Sequence, residues 1–312
     1  MLSGRRVGLI RKNLPAKRPQ RETPSGKIRS CGPLSRRVVD SDSTTLRCYV
    51  LPVDRIISPP PPLRKTAWTR LHYLWSAVWI LLVTIFSTLG YLVSQLVRPT
   101  PEVFSWWAAV WGRGMFFFMG IRLRLVDRRS IKSNGPCVLL ANHQNGLDIP
   151  IVAAVLPMAF GFVAKAELES APFLGPALKR SPSVFVDKSH PRRSLESIRR
   201  AGEQIRSGSS VLVFPEGQRS YSGHLGRFMK GAFLLALESG VPLVPVTLVD
   251  AAAVFDESRW VSRPGTVHVV IGDPIPLENV TRKDIPRLMD MAREAIACEL
   301  PEIWRNPPGE AQ

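Results

Sequence analysis

Cys137-Val138-Leu139-Leu140-Ala141-Asn142-His143-Gln144-Asn145-Gly146-Leu147-Asp148 sets an unbroken apolar run against a short polar turn, and Ile149 to Leu156 continues as an apolar stretch of helical length. A run as short as Cys137 to Leu140, apolar at every position rather than at alternate ones, reads as a strand buried on both faces. The same grammar repeats downstream. Gly161 to Ala164, Ser183 to Val186, Val211 to Phe214, Leu243 to Val249 and Thr266 to Ile271 read as further strands. Ser194 to Arg206, Lys230 to Glu238 and Arg282 to Glu299 read as helices between and after them. Strands alternating with helices predict an α/β fold with a largely parallel sheet flanked by helices. In such sheets ligands gather beyond the carboxyl ends of the strands, so the segments just after those ends are where chemistry is expected.

Upstream the pattern differs. Leu71 to Val97 carries no formal charge over 27 residues and is bracketed by Arg64, Lys65 and Arg70 before it and Arg98 after it. At about 1.5 Å per residue it is long enough to cross a hydrocarbon core of about 30 Å. Pro101 to Gly120 is also apolar but carries Arg113 at its centre, which suits a shallow interfacial helix better than a second span. Six of the eight tryptophans fall between Trp68 and Trp111, as expected near lipid headgroups. Residues 66–120 are therefore expected to form a membrane-embedded two-helix segment preceding an α/β domain at 121–312. The flanking charge places the N-terminal side of a full span in the cytoplasm. A hairpin that dips in and returns would keep the downstream domain on that same side.

Residues 1–65 hold fifteen Lys and Arg against Glu22, Asp40, Asp42 and Asp54, so this fifth of the chain carries +11 of the total +17. A compact nucleic-acid-binding domain concentrates charge on its folded body, so no specific nucleic-acid partner is expected. Nine of the 28 prolines also lie here, without any apolar period, which predicts a disordered basic tail. A solvated tail, an organelle leader and an arm for nucleic acid or lipid phosphate all remain compatible with that composition. Cys31, Cys48, Cys137 and Cys298 form no CxxC pair and no Cys/His cluster, so they read as thiols, with Cys137 a small buried residue of a strand. No metal site is expected, and His190, His224 and His268 read as surface or packing residues.

Two segments after strand ends carry the chemistry. His143 and Asp148 stand five positions apart in a turn entering a helix, where the carboxylate folds back onto the imidazole. A carboxylate on one ring nitrogen fixes the tautomer and leaves the other nitrogen as a general base. Neither Ser nor Cys lies in the segment, so the nucleophile belongs to the substrate, most naturally a hydroxyl. Val213-Phe214-Pro215-Glu216-Gly217-Gln218-Arg219-Ser220 supplies a glycine for close backbone approach, Glu216 for a hydroxyl and Arg219 for an anion. Each segment alone also fits an ordinary capped helix start or a solvated turn.

Together they resemble the glycerolipid acyltransferases. Asn142-His143 with Asp148 is similar to the NHxxxxD signature of that family, and Phe214 to Ser220 to its FPEGTRS signature, with Gln218 in place of Thr. Ser183 to Lys188 and Val241 to Val246 resemble two further motifs in the same order, and Lys165-Ala166-Glu167-Leu168 resembles a Lys-x-Glu-Leu segment between them. The resemblance spans roughly 66–300 and is greatest to the bacterial 1-acyl-sn-glycerol-3-phosphate acyltransferases. It implies that His143 deprotonates the sn-2 hydroxyl of a lysophospholipid acceptor while Asp148 orients it. The acyl donor would be acyl-CoA or acyl-carrier protein, with no acyl-enzyme and no cofactor. Glu216, Gly217 and Asn142 would help place the acceptor, Arg219 and Lys165 would hold its phosphate, and Val241 to Val246 would pack. Lys188 stands where the family has Arg; it keeps the charge and loses the planar fork. A bacterial inner membrane with the catalytic domain at its cytoplasmic face is the implied location.

Other readings differ in acceptor or in class. The same transfer onto glycerol-3-phosphate or a lyso-aminolipid uses the same base, and a hydrolase would direct it at water. The cluster Lys188, Arg192, Arg193, Arg199 and Arg200 reads as a solvated helix face or a dock for an acidic carrier protein. A membrane-anchored binding protein would work through its basic tail instead.

Overall fold

The computed structural model describes residues 63–97, 100–127, 135–156, 158–170, 174–187, 189 and 191–305. The readings of the basic tail, of His190 and of Lys188 lie outside them.

Two helices come first, α1 (Ala67–Val97) and α2 (Pro101–Met119). Then follow β1 (Ile121–Asp127), β2 (Val138–Ala141), α3 (Asp148–Val155), β3 (Gly161–Lys165), α4 (Leu174–Lys179), β4 (Val184–Val186) and α5 (Pro191–Arg206). The remainder is β5 (Val211–Val213), α6 (Lys230–Ser239), β6 (Leu243–Val249), α7 (Ala251–Val254), a two-stranded β7 (Phe255–Asp256) and β8 (Val261–Ser262), β9 (Gly265–Ile271), α8 (Ile285–Ala297) and α9 (Glu302–Arg305). The main sheet has seven strands in the order β1-β9-β6-β2-β5-β3-β4. Strands β6, β2, β5, β3 and β4 run parallel, whereas β9 and β1 run together in the opposite sense.

The largely parallel sheet expected from the buried runs is present, and both its faces are covered. Leu139 and Ala141 of β2 pack toward α2 and α3, whereas Val138 and Leu140 pack toward α5, α6 and α8. Strand β6 is buried along its whole length, as a strand covered on both faces must be. Pro245 is tolerated there because its carbonyl accepts Gly272 N–H beyond the last β6/β9 pair, so its missing N–H falls where the ladder ends. Strand β1 had not been expected. Its Arg122 and Arg124 alternate with Ile121 and Leu123, the period of a half-buried edge strand, a short signal that directly follows a long apolar helix. Cys137 is free and buried, as expected.

Helix α1 inverts the usual pattern of a globular surface. Leu71, Leu74, Val78, Leu82, Ile85, Leu89 and Val93 are exposed on one face, while Thr69, His72, Ser76, Ser87 and Tyr91 are buried on the other. Val83 is buried with them, and the broad apolar outer face suits a lipid-facing helix. The helix is tied to the domain at both ends. Ser262 Oγ lies 2.6 Å from His72 Nδ1, and Tyr91 donates its hydroxyl to the Arg180 carbonyl at 2.8 Å. Those anchors stand nineteen residues apart, about 28 Å of helix, so α1 lies along the α/β body instead of leaving it. Helix α2 packs between α1 and α3, and Arg113 at its centre donates Nε–H to the Ala154 carbonyl at 3.0 Å.

Candidate active site

Strands β2 and β5 are hydrogen-bonded neighbours in the sheet, so the segments that follow them leave from adjacent strand ends. The two segments are then stitched together by main chain. Ser220 N–H donates to the His143 carbonyl and Tyr221 N–H to the Gln144 carbonyl, each at 2.9 Å. Glu216 completes the join: His143 N–H donates to Oε1 at 2.7 Å and Gly226 N–H to Oε2 at 2.8 Å. A Cβ on Gly226 would lie 2.6 Å from Oε2, so only glycine allows that approach.

His143 Nδ1 is 2.7 Å from Asp148 Oδ2. The same oxygen accepts Gln144 N–H at 2.5 Å and Asn145 N–H at 2.9 Å, so the turn closes around the carboxylate at the start of α3. Burial pushes the Asp148 carboxyl up, and His143 and the two backbone donors oppose it. Phe214 stacks on the imidazole at 4.0 Å and fixes the ring plane. With Nδ1 committed to Asp148, Nε2 has no protein partner among the described residues. His143 retains 13% side-chain exposure beside a fully buried Asp148. The pair can therefore withdraw a proton from a substrate at Nε2 while the resulting imidazolium is held against a carboxylate.

His143 opens into a cavity of about 520 Å³. Its lining also includes Gly217, Lys165 at the end of β3, and Arg219, together with apolar side chains such as Phe104 and Trp107 of α2 and Leu178 of α4. Gly217 has φ +73, and a Cβ there would lie 2.6 Å from Met229 Sδ. Arg219 donates Nη1–H to Glu257 Oε1 at 3.1 Å, and the same oxygen accepts Gly146 N–H at 2.9 Å. Burial raises the Glu257 carboxyl, opposed by its own backbone N–H and by Arg219.

Of the residues singled out in the sequence, His143, Gly217, Arg219 and Lys165 line this cavity, and Asp148 stands behind His143 off its wall. Glu216 and Asn142 also stay off its wall. Glu216 is only 6% exposed and both its oxygens are taken by backbone amides, so it braces the histidine segment instead of meeting a hydroxyl; the same burial pushes it up to about 7. Asn142 is likewise buried, exchanging two hydrogen bonds with Leu248 at 2.7 and 2.9 Å that pin the end of β2 to β6. Lys188 is outside the described residues, although Val186 two positions before it lines the cavity. Glu257 was missed: it belongs to no motif and reaches Arg219 only through the β7/β8 excursion. Val244 and Val246 pack in the core as expected. His224 and His268 do not line this cavity, and among the described residues no three His, Cys, Asp or Glu side chains are grouped as a metal site requires.

An acyltransferase family model matches residues 122–249. The human 1-acyl-sn-glycerol-3-phosphate acyltransferase beta is 31% identical over 199 residues, covering 62% of this chain and 70% of that protein. The Pseudomonas aeruginosa 1-acyl-sn-glycerol-3-phosphate acyltransferase is 30% identical over 185 residues, covering 59% and 71% respectively. Among solved structures, the 1-acyl-sn-glycerophosphate acyltransferase of Thermotoga maritima superposes with a TM-score of 0.62 at 22% identity, over 72% of this chain and 92% of that one, a likeness of fold.

Proposed function

Since this chain belongs to the 1-acyl-sn-glycerol-3-phosphate acyltransferase family, we propose that it transfers a fatty acyl group from acyl-CoA or acyl-carrier protein to the sn-2 hydroxyl of lysophosphatidic acid, giving phosphatidic acid. The observation that carries this reading is the His143–Asp148 pair on the wall of a largely apolar cavity that Lys165 and Arg219 also line. His143 Nε2 takes the hydroxyl proton as the oxygen attacks the thioester carbonyl. Collapse of the tetrahedral intermediate breaks the carbon–sulfur bond, and the imidazolium returns the proton to the departing thiolate. Asp148 holds the tautomer and the imidazolium, Lys165 and Arg219 take the phosphate, and the apolar wall takes the transferred chain. No cofactor or metal enters these steps. In this reading residues 66–120 anchor the 121–312 domain at the cytoplasmic face of a bacterial inner membrane, with the apolar face of α1 in the lipid.

The test is acyl transfer by detergent-purified protein, comparing wild type with His143→Ala and Asp148→Asn. Phosphatidic acid from wild type alone supports the reaction and its base. The Arg219–Glu257 ion pair partly neutralises the phosphate-binding charge, which favours, as a second reading, an acceptor without phosphate. Acylation of a lyso-aminolipid but not of lysophosphatidic acid would select it.

A further inference from the structure

A second cavity, of about 430 Å³, lies on the other side of Arg219. Its walls are Tyr73, Ala77 and Ile80 of α1, Leu147 and Pro150 at the start of α3, and Phe255 of β7. Both cavities fall in the range of about 300–1,000 Å³ that small-molecule sites occupy. Thr84, Trp111 and Arg219 line both. The partition between them is built: Trp111 donates Nε1–H to Thr84 Oγ1 at 2.9 Å, and Thr84 donates its own hydroxyl to the Ile80 carbonyl at 2.6 Å. His143 is on the wall of the first cavity and not of the second, so a group seated in the second lies beside the reaction without taking part in it.

The transfer proposed above brings two acyl chains to one site, the chain being moved and the chain the acceptor already carries. The moving chain must present its carbonyl at His143, which assigns it to the first cavity. We propose that the second cavity holds the resident sn-1 acyl chain of the lysophospholipid acceptor, and that the Trp111–Thr84 pair keeps the two chains apart. This inference rests on the acyl-transfer reading. Arg219 stands at the junction, and the glycerol carbons that separate phosphate, sn-1 ester and sn-2 hydroxyl are few. A phosphate held by Arg219 therefore directs the hydroxyl toward His143 on one side and the sn-1 chain into Tyr73, Leu147 and Phe255 on the other. Charged groups line this cavity only at Arg219 and Glu257, where the Glu257 carboxylate accepts both Arg219 Nη1–H and Gly146 N–H. The cavity also reaches Leu81, which is 60% exposed on α1, so its lining extends to the apolar outer surface of that helix.

The decisive experiment uses lysophosphatidic acid with a photoreactive diazirine at the tip of its acyl chain, crosslinked to the full-length wild-type protein and mapped by peptide mass spectrometry. Adducts are expected on segments bearing Tyr73, Ile80, Leu147 or Phe255. Adducts on Phe104, Phe162 or Leu178 of the first cavity, or at neither site, overturn the assignment. The kinetic counterpart is Ala77→Phe, which fills the second cavity. It is expected to raise the KM for an 18-carbon lysophosphatidic acid about tenfold more than for an 8-carbon one, leaving the donor chain-length profile in place; a shifted donor profile with no change in acceptor preference contradicts the proposal. Failure of wild type to make any phosphatidic acid sinks the acyl-transfer reading itself, whereas the crosslink still reports which cavity receives the chain.

Discussion

Glu216 Oε1 accepts the backbone N–H of His143 at 2.7 Å, so a carboxylate of one signature segment holds the main chain of the other. The His143 imidazole is thus held by two carboxylates, Asp148 through its ring and Glu216 through its backbone. The bracing pair is sensitive to pH. Burial raises the Glu216 carboxyl from 4.5 to about 7. A group whose pKa is raised on folding contributes its full stability below the unfolded value and loses it as pH rises through the folded one. Wild type should therefore lose on the order of 3 kcal/mol relative to Glu216→Gln between about pH 4.5 and pH 7. Thermal melts of both proteins across that window check this; parallel curves would show that Glu216 does not titrate there.

Asp148→Asn keeps an oxygen for the amides of Gln144 and Asn145 but removes the charge that stabilises the imidazolium. The protein should stay folded by circular dichroism while kcat falls about 10³- to 10⁴-fold, the scale seen when the carboxylate of a His-carboxylate pair is neutralised. A loss of less than about tenfold would reduce Asp148 to a helix-start brace.

Arg219→Ala removes charge-assisted hydrogen bonds worth about 1.5–3 kcal/mol each. The expected result is a drop in kcat/KM for lysophosphatidic acid of about ten- to a hundredfold with the donor KM unchanged. Equal losses for both substrates would place Arg219 away from the acceptor.

Leu82 and Leu89, each 49% exposed, stand on the apolar face of α1. Replacing both by Lys should abolish flotation with liposomes and leave the melting temperature within a few degrees, because neither side chain packs in the core. Undiminished flotation would remove α1 from the lipid contact.

Gly217→Ala forces a Cβ onto a residue at φ +73, which costs about 1–2 kcal/mol. Adding Met229→Ala relieves the contact with Sδ but not the backbone strain, so a urea titration should find the double variant still destabilised. Full recovery would mean that the clash alone requires glycine at this position.

Much of this was legible along the chain because it depends on neighbours in sequence. The apolar runs of β2, β5 and β6 are continuous since both sheet faces are covered, and helix periods between them mark a largely parallel sheet. The His143–Asp148 pair was legible for the same reason, as one turn at the start of α3 closes it. Other assignments depended on which way a side chain turns. Glu216 and Asn142 have the chemistry of substrate ligands, yet both satisfy buried backbone amides or carbonyls, a need visible only once strands are paired. Glu257 reaches Arg219 from 38 residues away, a distance over which spacing carries no information. Composition shows that α1 is apolar enough to enter a membrane; that it lies along the domain is decided by His72 meeting Ser262 and Tyr91 meeting Arg180. Periodicity reports what each segment must bury, but convergence of residues distant in sequence, and the partition of one apolar space into two by Trp111 and Thr84, exist only when the packed core brings them within hydrogen-bonding reach.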